Sequence, residues 1–322
     1  MSRPFAPRTR VSSYLSDWMP TGDTTRQSVA GYFGGGSGPS SVNTSAIDKL
    51  SFSAETRTTL SATMSTIVYA TGAFANSGIA GYFCGGTDSG SFYSRIDKIA
   101  FPADSKTTLS ATLSATVFFP AGMANSGVAG YNGGGDTPTT TIDKITFPAD
   151  TKTTLSATLT SARSRLSAMA DSGVAGYFAG GSTATDFLSG IDKIAFAADS
   201  KTTLSATLTT AKSYLCACAD TGVAGYVFAG SDGADYVLSI DRIAFPADTK
   251  TTIAATLSGN ANYRAASANI GVAGYIAGGY DHPTRLDSIQ KLSFPAEART
   301  TLAATLSATV YGTTGMADCG VF

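Results

Sequence analysis

The amino-acid sequence predicts an all-β chain: a six-bladed β-propeller of four-stranded antiparallel blades, closed by the C-terminal strand pairing into the first blade. Three recurring markers carry this expectation. Ala-Gly-Tyr recurs with its Tyr at Tyr32, Tyr82, Tyr131, Tyr177, Tyr226 and Tyr275, at spacings of 50, 49, 46, 49 and 49. Ile-Asp-Lys starts at Ile47, Ile96, Ile142 and Ile191, then becomes Ile240-Asp241-Arg242 and Ile289-Gln290-Lys291. An acid-x-base-Thr-Thr segment begins at Glu55, Asp104, Asp150, Asp199, Asp248 and Glu297. Residues 28–322 thus divide into six units of about 49 residues. Self-similarity at a period of about 40–50 residues is how radially repeated all-β folds appear in a sequence.

Each unit supplies four short strands in order. In the fourth unit they fall at residues 165–171, 173–181, 191–199 and 201–209. None has a sustained helical period, and Thr, Ile, Phe, Tyr and Val are frequent in them. Phe-Pro-Ala-Asp is turn chemistry between the last two: Pro presets φ, and Asp can bond its own backbone. The pairs Gly35-Gly36, Gly85-Gly86, Gly134-Gly135, Gly180-Gly181 and Gly278-Gly279 permit close backbone approach, and unit five departs with Ala229-Gly230. Asp48, Asp97, Asp143, Asp192 and Asp241 are expected to satisfy backbone donors within their own blades. Gln290 keeps that ability without the charge. The Lys or Arg that follows each is expected to be solvated or locally paired. Unit one lacks a leading strand, whereas residues 311–322 form a strand that no later unit uses. That strand is predicted to complete blade one and remove the free edges.

The order Arg-x-x, small apolar strand, Gly-x-x-Gly-Tyr-x-x-Gly-Gly, variable loop, Ile-Asp-x-x-x-Phe, turn and Leu resembles the Kelch repeat over about nine-tenths of the chain. It departs where Kelch units usually carry Trp. Leu60, Leu109, Leu155, Leu204, Ile253 and Leu302 stand there, and the single Trp, Trp18, lies outside the repeats. Near-identical Gly/Thr/Ala-rich units of this kind also resemble those of tail and fibre proteins of bacterial viruses. That resemblance implies a virion protein.

Composition excludes several functions. Charged residues are 14% of the chain, against about 25% in ordinary soluble domains. A net charge of −1 gives no electrostatic footprint for nucleic acid. One His, His282, cannot build a multi-His metal site, and no cofactor is expected. Residues 1–15 have basic groups but no apolar core of a signal peptide, and no segment of about 20 apolar residues could span a membrane. The expectation is synthesis in the host cytoplasm without membrane insertion. Cys84, Cys216, Cys218 and Cys319 show no C-x-x-C spacing. Cys84 occupies the place of Ala179, as a small hydrophobe would. A copper radical oxidase would need several His ligands, a sialidase an Arg cluster, and a triad hydrolase a Gly-x-Ser-x-Gly elbow. None is visible, so no catalysis is expected.

The units differ mainly in two places. One is the loop from the diglycine to Ile-Asp-Lys, of 10, 9, 6, 9, 9 and 9 residues. The other is the segment leading to the next unit. In an up-and-down blade both emerge on one face. The candidate ligand-binding face is Tyr69, Phe92, Tyr93, Phe118, Phe119, Arg165, Phe187, Tyr214, Tyr236, Tyr263, Arg264, Tyr280, His282 and Tyr311. Tyr and Arg are enriched at binding hot spots, and exposed rings can stack on sugars. Residues 1–27 read as a separate N-terminal arm ahead of the propeller at 28–322. Tyr14, Leu15 and Trp18 have no repeat to join and suit docking on other virion proteins. The expected function is a non-enzymatic tail, baseplate or fibre protein that recognises a host receptor, a glycan or a protein. It could also form a homo-oligomer. The alternatives are a capsid or tail decoration protein, or a cellular Kelch-like interaction module.

Overall fold

A computed structural model of the chain describes residues 28–136 and 138–318. Among the described residues there are six four-stranded antiparallel blades around a common axis, with one short 3-10 turn at Pro39–Ser41. Blade two runs outward from the axis as Gly72–Asn76, Ala80–Cys84, Ile96–Ala100 and Ser105–Thr108. Blades three to six repeat this order, and in blade six the third strand lengthens to Thr284–Ser293 and pairs with Tyr280–Asp281. Blade one is composite. Its inner strand, Thr314–Ala317, comes from the C-terminal end and pairs with Ala30–Gly34. It packs between the inner strands of blades two and six, so the ring closes as the sequence predicts.

The inner strands are built from small residues because the axis is crowded. A Cβ on Gly122 would lie 2.2 Å from the Ala73 carbonyl oxygen, and one on Gly315 would lie 2.1 Å from that of Ala266. The central residue of each inner strand points between blades and fixes the Gly of Ala-Gly-Tyr in the next. A Cβ on Gly130 would meet the Phe74 ring at 2.1 Å. One on Gly176 would meet Met123 at 2.2 Å, and one on Gly225 would meet Met169 at 2.2 Å.

All three sequence markers meet at every blade interface. Each marker Tyr stacks on the turn Phe of the following blade: Tyr32 on Phe101 with centroids 4.8 Å apart, and Tyr131 on Phe196 at 5.1 Å. The Tyr32, Tyr82, Tyr131 and Tyr177 hydroxyls donate to the acids of those turns, at 2.7–2.8 Å. The marker cation reaches the same carboxylate. Lys49 pairs with Asp104 at 2.7 Å, and the series continues to Lys291 and Glu55 at 2.5 Å across the closure. These cations are half-buried bridges between blades, not the solvated or locally paired groups expected from the sequence.

The Ile-Asp-Lys carboxylates also reach further than expected. Asp97 accepts from the Thr108 hydroxyl of its own blade. It also accepts from the Ser65 N–H, at 2.8 Å, and the Ser65 hydroxyl, at 2.6 Å, of the preceding one. Asp143, Asp192, Asp241 and Asp48 repeat the arrangement, Asp48 across the closure through Ser307. Gln290 substitutes by accepting from the Ser258 N–H and donating to its carbonyl.

At the end of the inner strand in blades two to five an Asn or Asp clips the next turn. Asn76, Asn125, Asp171 and Asp220 accept from the N–H groups of Gly127, Gly173, Gly222 and Gly271. Burial pushes the Asp171 and Asp220 carboxyls up, against the hydrogen bonds that lower them. A raised folded value means stability that is present in acid and lost as pH rises through it. Asp171→Asn keeps the acceptor and removes the buried charge, as blades two and three already do. It is expected to raise the melting temperature by about 1–3 °C at pH 7, with the gain shrinking towards pH 4. Thermal melts at the two pH values check this.

Candidate functional site

The residue two places before each inner strand forms a collar around the axis. Ala70, Phe119, Arg165, Tyr214, Tyr263 and Gly312 all have left-handed backbone, with φ between 54° and 65°. The N–H of each donates to the carbonyl of its counterpart in the preceding blade. The bonds run Ala70 to Gly312 (2.7 Å), Phe119 to Ala70 (2.7 Å), Arg165 to Phe119 (3.0 Å), Tyr214 to Arg165 (2.9 Å), Tyr263 to Tyr214 (3.1 Å) and Gly312 to Tyr263 (3.0 Å). The circle is complete. A left-handed conformation costs a bulky L-residue about 1–2 kcal/mol, and such outliers cluster at functional sites. Blades one and two put Gly and Ala here. The other four put Phe, Arg, Tyr and Tyr.

The collar and its neighbours assemble an aromatic cluster. Phe119 and Tyr263 come from opposite blades, three and six, and their centroids lie 5.4 Å apart, so the rings meet over the axis. Tyr214 lies 4.0 Å from Tyr263, Tyr311 lies 5.2 Å from Tyr263, and Tyr69 lies 5.6 Å from Tyr311 and 6.2 Å from Phe119. Tyr280 extends the cluster from Tyr311 at 5.3 Å, with His282 against it at 5.6 Å. On the other side Phe118 joins Phe119 at 5.4 Å, and exposed Phe92 stacks on Phe118 at 4.5 Å. Beneath lies an axial cavity of about 100 Å³, with Arg165, Tyr214 and Tyr263 among its lining residues.

Two guanidinium groups lie on these rings. Arg165 sits over Tyr214 and Phe119, at 5.0 and 5.8 Å, and donates to Asp136 at 2.7 Å. Arg285 sits over Tyr311 and Tyr280, at 5.1 and 5.6 Å. Burial is the chief reason the Tyr263 hydroxyl is pushed well above its ordinary value, helped by its hydrogen bond with Tyr214. The cluster offers ring faces, hydroxyls and planar cations, the chemistry of stacking and hydrogen bonding.

The two variable segments do share one face. In every blade the residue before the collar bridges the residue after the diglycine. The pairs are Ser37–Tyr311, Tyr69–Thr87, Phe118–Asp136, Ser164–Ser182, Ser213–Ser231 and Asn262–Tyr280. Three expected residues lie away from the central rings. Tyr93 donates to Asp88 at 2.5 Å beneath Arg95, and that hydrogen bond, with those from the Gly90 and Ser91 N–H groups, holds the Asp88 carboxyl down at about 2. Phe187 packs where a Cβ on Gly233 would come within 2.6 Å of its ring. The Tyr236 hydroxyl accepts from the His282 N–H at 3.0 Å.

Arg264 lies beneath the rings. It is only 4% exposed, and its guanidinium turns inward to the carbonyl oxygens of Ser258, Gly259 and Ala261. Its position is filled elsewhere by Thr71, Pro120, Leu166, Leu215 and Thr313, all buried, and the six together line the axial cavity beneath the rings. Tyr14, Leu15 and Trp18 lie outside the described residues. Asp136 and Arg285 are the contributors that the expected set omits. The signal for Asp136 was the one acid at the position directly after the diglycine, where the other units have Ser, Thr or Tyr.

With this geometry the chain defines its class, a six-bladed β-propeller. The chain matches no protein-family model and no curated protein sequence.

Proposed function

We propose that this chain is a non-enzymatic virion protein, a tail, baseplate or fibre component that presents the aromatic face to a glycan on the host surface. One observation carries the reading. Where the repeat is broken it is broken towards Tyr, Phe and Arg, and these converge on one face, partly at a backbone cost. Scaffold positions repeat because each blade solves the same packing problem, and this cluster does not repeat. Ring faces stack on the apolar faces of sugars, while Tyr hydroxyls and Arg supply polar contacts. The virion assignment rests on the likeness of the Gly/Thr/Ala-rich units to phage tail and fibre repeats. Residues 1–27 are proposed as the assembly arm: deleting 1–24 should leave a folded propeller that no longer incorporates into particles.

Glycan arrays and adsorption to susceptible cells test the recognition. Phe119→Gly relieves about 1 kcal/mol of backbone strain and removes ring contacts of about the same size. Its melting temperature is therefore expected to stay within a few degrees of the parent, while glycan binding falls at least tenfold. Failure to bind cells or glycans, together with tight binding to a capsid or tail protein, would favour a decoration protein and overturn the proposal.

A further inference from the structure

The face opposite the aromatic cluster carries the turns that barely vary, and it is apolar. Val29, Ile79, Val128, Val174, Val223 and Val272 stand one per blade, immediately before Ala-Gly-Tyr, and are 36–66% exposed. They are six of the nine large exposed hydrophobic side chains among the described residues, so exposed apolar bulk is concentrated here. The turns between third and outer strands extend the ring outward with exposed pairs such as Pro102-Ala103 and Pro246-Ala247. The two sets of turns are tied together: the Phe101 N–H donates to the Ile79 carbonyl, and the Phe245 N–H to that of Val223.

The acids of those outer turns add no net charge to the face. Each is paired with the Lys or Arg of the neighbouring blade, from Lys49–Asp104 round to Lys291–Glu55. Duplication alone does not account for the ring. The same duplication left the opposite loops to diverge, yet this exposed position is β-branched in every unit.

We propose that the annulus is a self-association surface, on which two copies of this chain stack back to back. An exposed apolar feature of this kind marks an interaction site. Its partner must repeat around the same axis to use all six contacts, and a second copy of this chain has that repeat. Self-apposition is also electrostatically neutral, since each turn carboxylate already has its cation. The six β-branched residues and the twelve exposed turn residues make eighteen per copy, close to the 20–30 per side of a standard interface. A two-fold axis in the plane of the disc brings like residues onto like, the isologous arrangement typical of dimers. Both aromatic faces then point outward. This inference does not depend on the glycan reading.

The test is sedimentation equilibrium of the full chain from about 0.5 to 50 μM. The parent is expected at twice the 32.7 kDa chain mass at the upper concentrations. Val128→Asp/Val174→Asp/Val223→Asp is expected to be a monomer throughout. The corresponding triple Thr variant keeps the β-branched shape and should weaken the dimer at least tenfold. Equal melting temperatures certify folding of both, and Phe92→Asp on the other face should leave the dimer intact. A monomeric parent overturns the proposal, as does a dimer that survives the triple Asp change. So does a dimer that appears only after deletion of residues 1–27, which would mean that the arm, not a second copy, covers the annulus.

Discussion

Deleting residues 313–322 is expected to abolish the cooperative thermal transition of this protein, or to lower its midpoint by more than 15 °C. The strand Thr314–Ala317 ties the last blade to the first through the inner ring, packed between the inner strands of blades two and six. Met316 is fully buried and fills the space over Gly81 of blade two. The Thr313 hydroxyl donates to the Gly34 carbonyl, and the Thr314 hydroxyl donates to the Thr71 carbonyl. The Gly78 N–H donates to the Asp318 carbonyl, clipping the turn of blade two to that of blade one. Removing the strand exposes the edge of Ala30–Gly34 and leaves Gly312, a link of the collar, as an unanchored chain end. Truncating Met316 to Ala alone should cost about 2–5 kcal/mol, and a typical domain has only about 5–15 kcal/mol in total. Calorimetry of the deletion beside Met316→Ala distinguishes loss of closure from loss of one side chain. A deletion that melts like the point variant would show that the ring does not need its closing strand.

The architecture was legible because each marker solves a packing problem that recurs once per blade. Ala-Gly-Tyr recurs since a Cβ at its Gly would strike the preceding inner strand, and since its Tyr must reach the next turn acid. The closing strand was legible from a surplus at one end and a deficit at the other. What the sequence hid were the contacts between units. Ile-Asp-Lys looks local, yet its Asp receives the preceding blade and its Lys reaches the following one. The collar was hidden too. Ala70, Phe119, Arg165, Tyr214, Tyr263 and Gly312 share no chemistry, so only φ reveals them as one position. The face itself was legible as variation, but the depth of its residues was not: in a variable segment a buried Arg such as Arg264 and a more open one such as Arg165 look alike.

A second large effect is expected at Arg163 and Asp192, a fully buried ion pair that arises where the repeat is broken inside the core. Both side chains are at most 2% exposed. Val68, Val117 and Val310 fill the Arg163 position in other blades. There the corresponding carboxylate manages with hydroxyls, a backbone N–H and a peripheral cation. Asp143, for example, accepts from Ser114 and Thr154, with Lys152 at 3.7 Å. Asp192 has the same supports in Thr160 and Thr203, with Lys201 at 3.8 Å. Arg163→Val therefore copies a solution the molecule already uses, and it is expected to be neutral or stabilising, since replacing a buried charge by a packed apolar group often is. Asp192→Ala does the opposite. It strands a guanidinium whose remaining acceptors are the carbonyls of Gly180 and Gly190, and it should cost about 3–5 kcal/mol. Combining the two changes should recover most of that loss. Burial pushes the Asp192 carboxyl up, but the Thr160 hydrogen bonds and then Arg163 hold it below the ordinary carboxylate range. Its contribution is thus complete above about pH 4 and is lost as pH falls through the lower folded value. Denaturant melts of the two single variants and the double, at pH 7 and pH 3, test the whole scheme. Equal losses for Arg163→Val and Asp192→Ala would refute it.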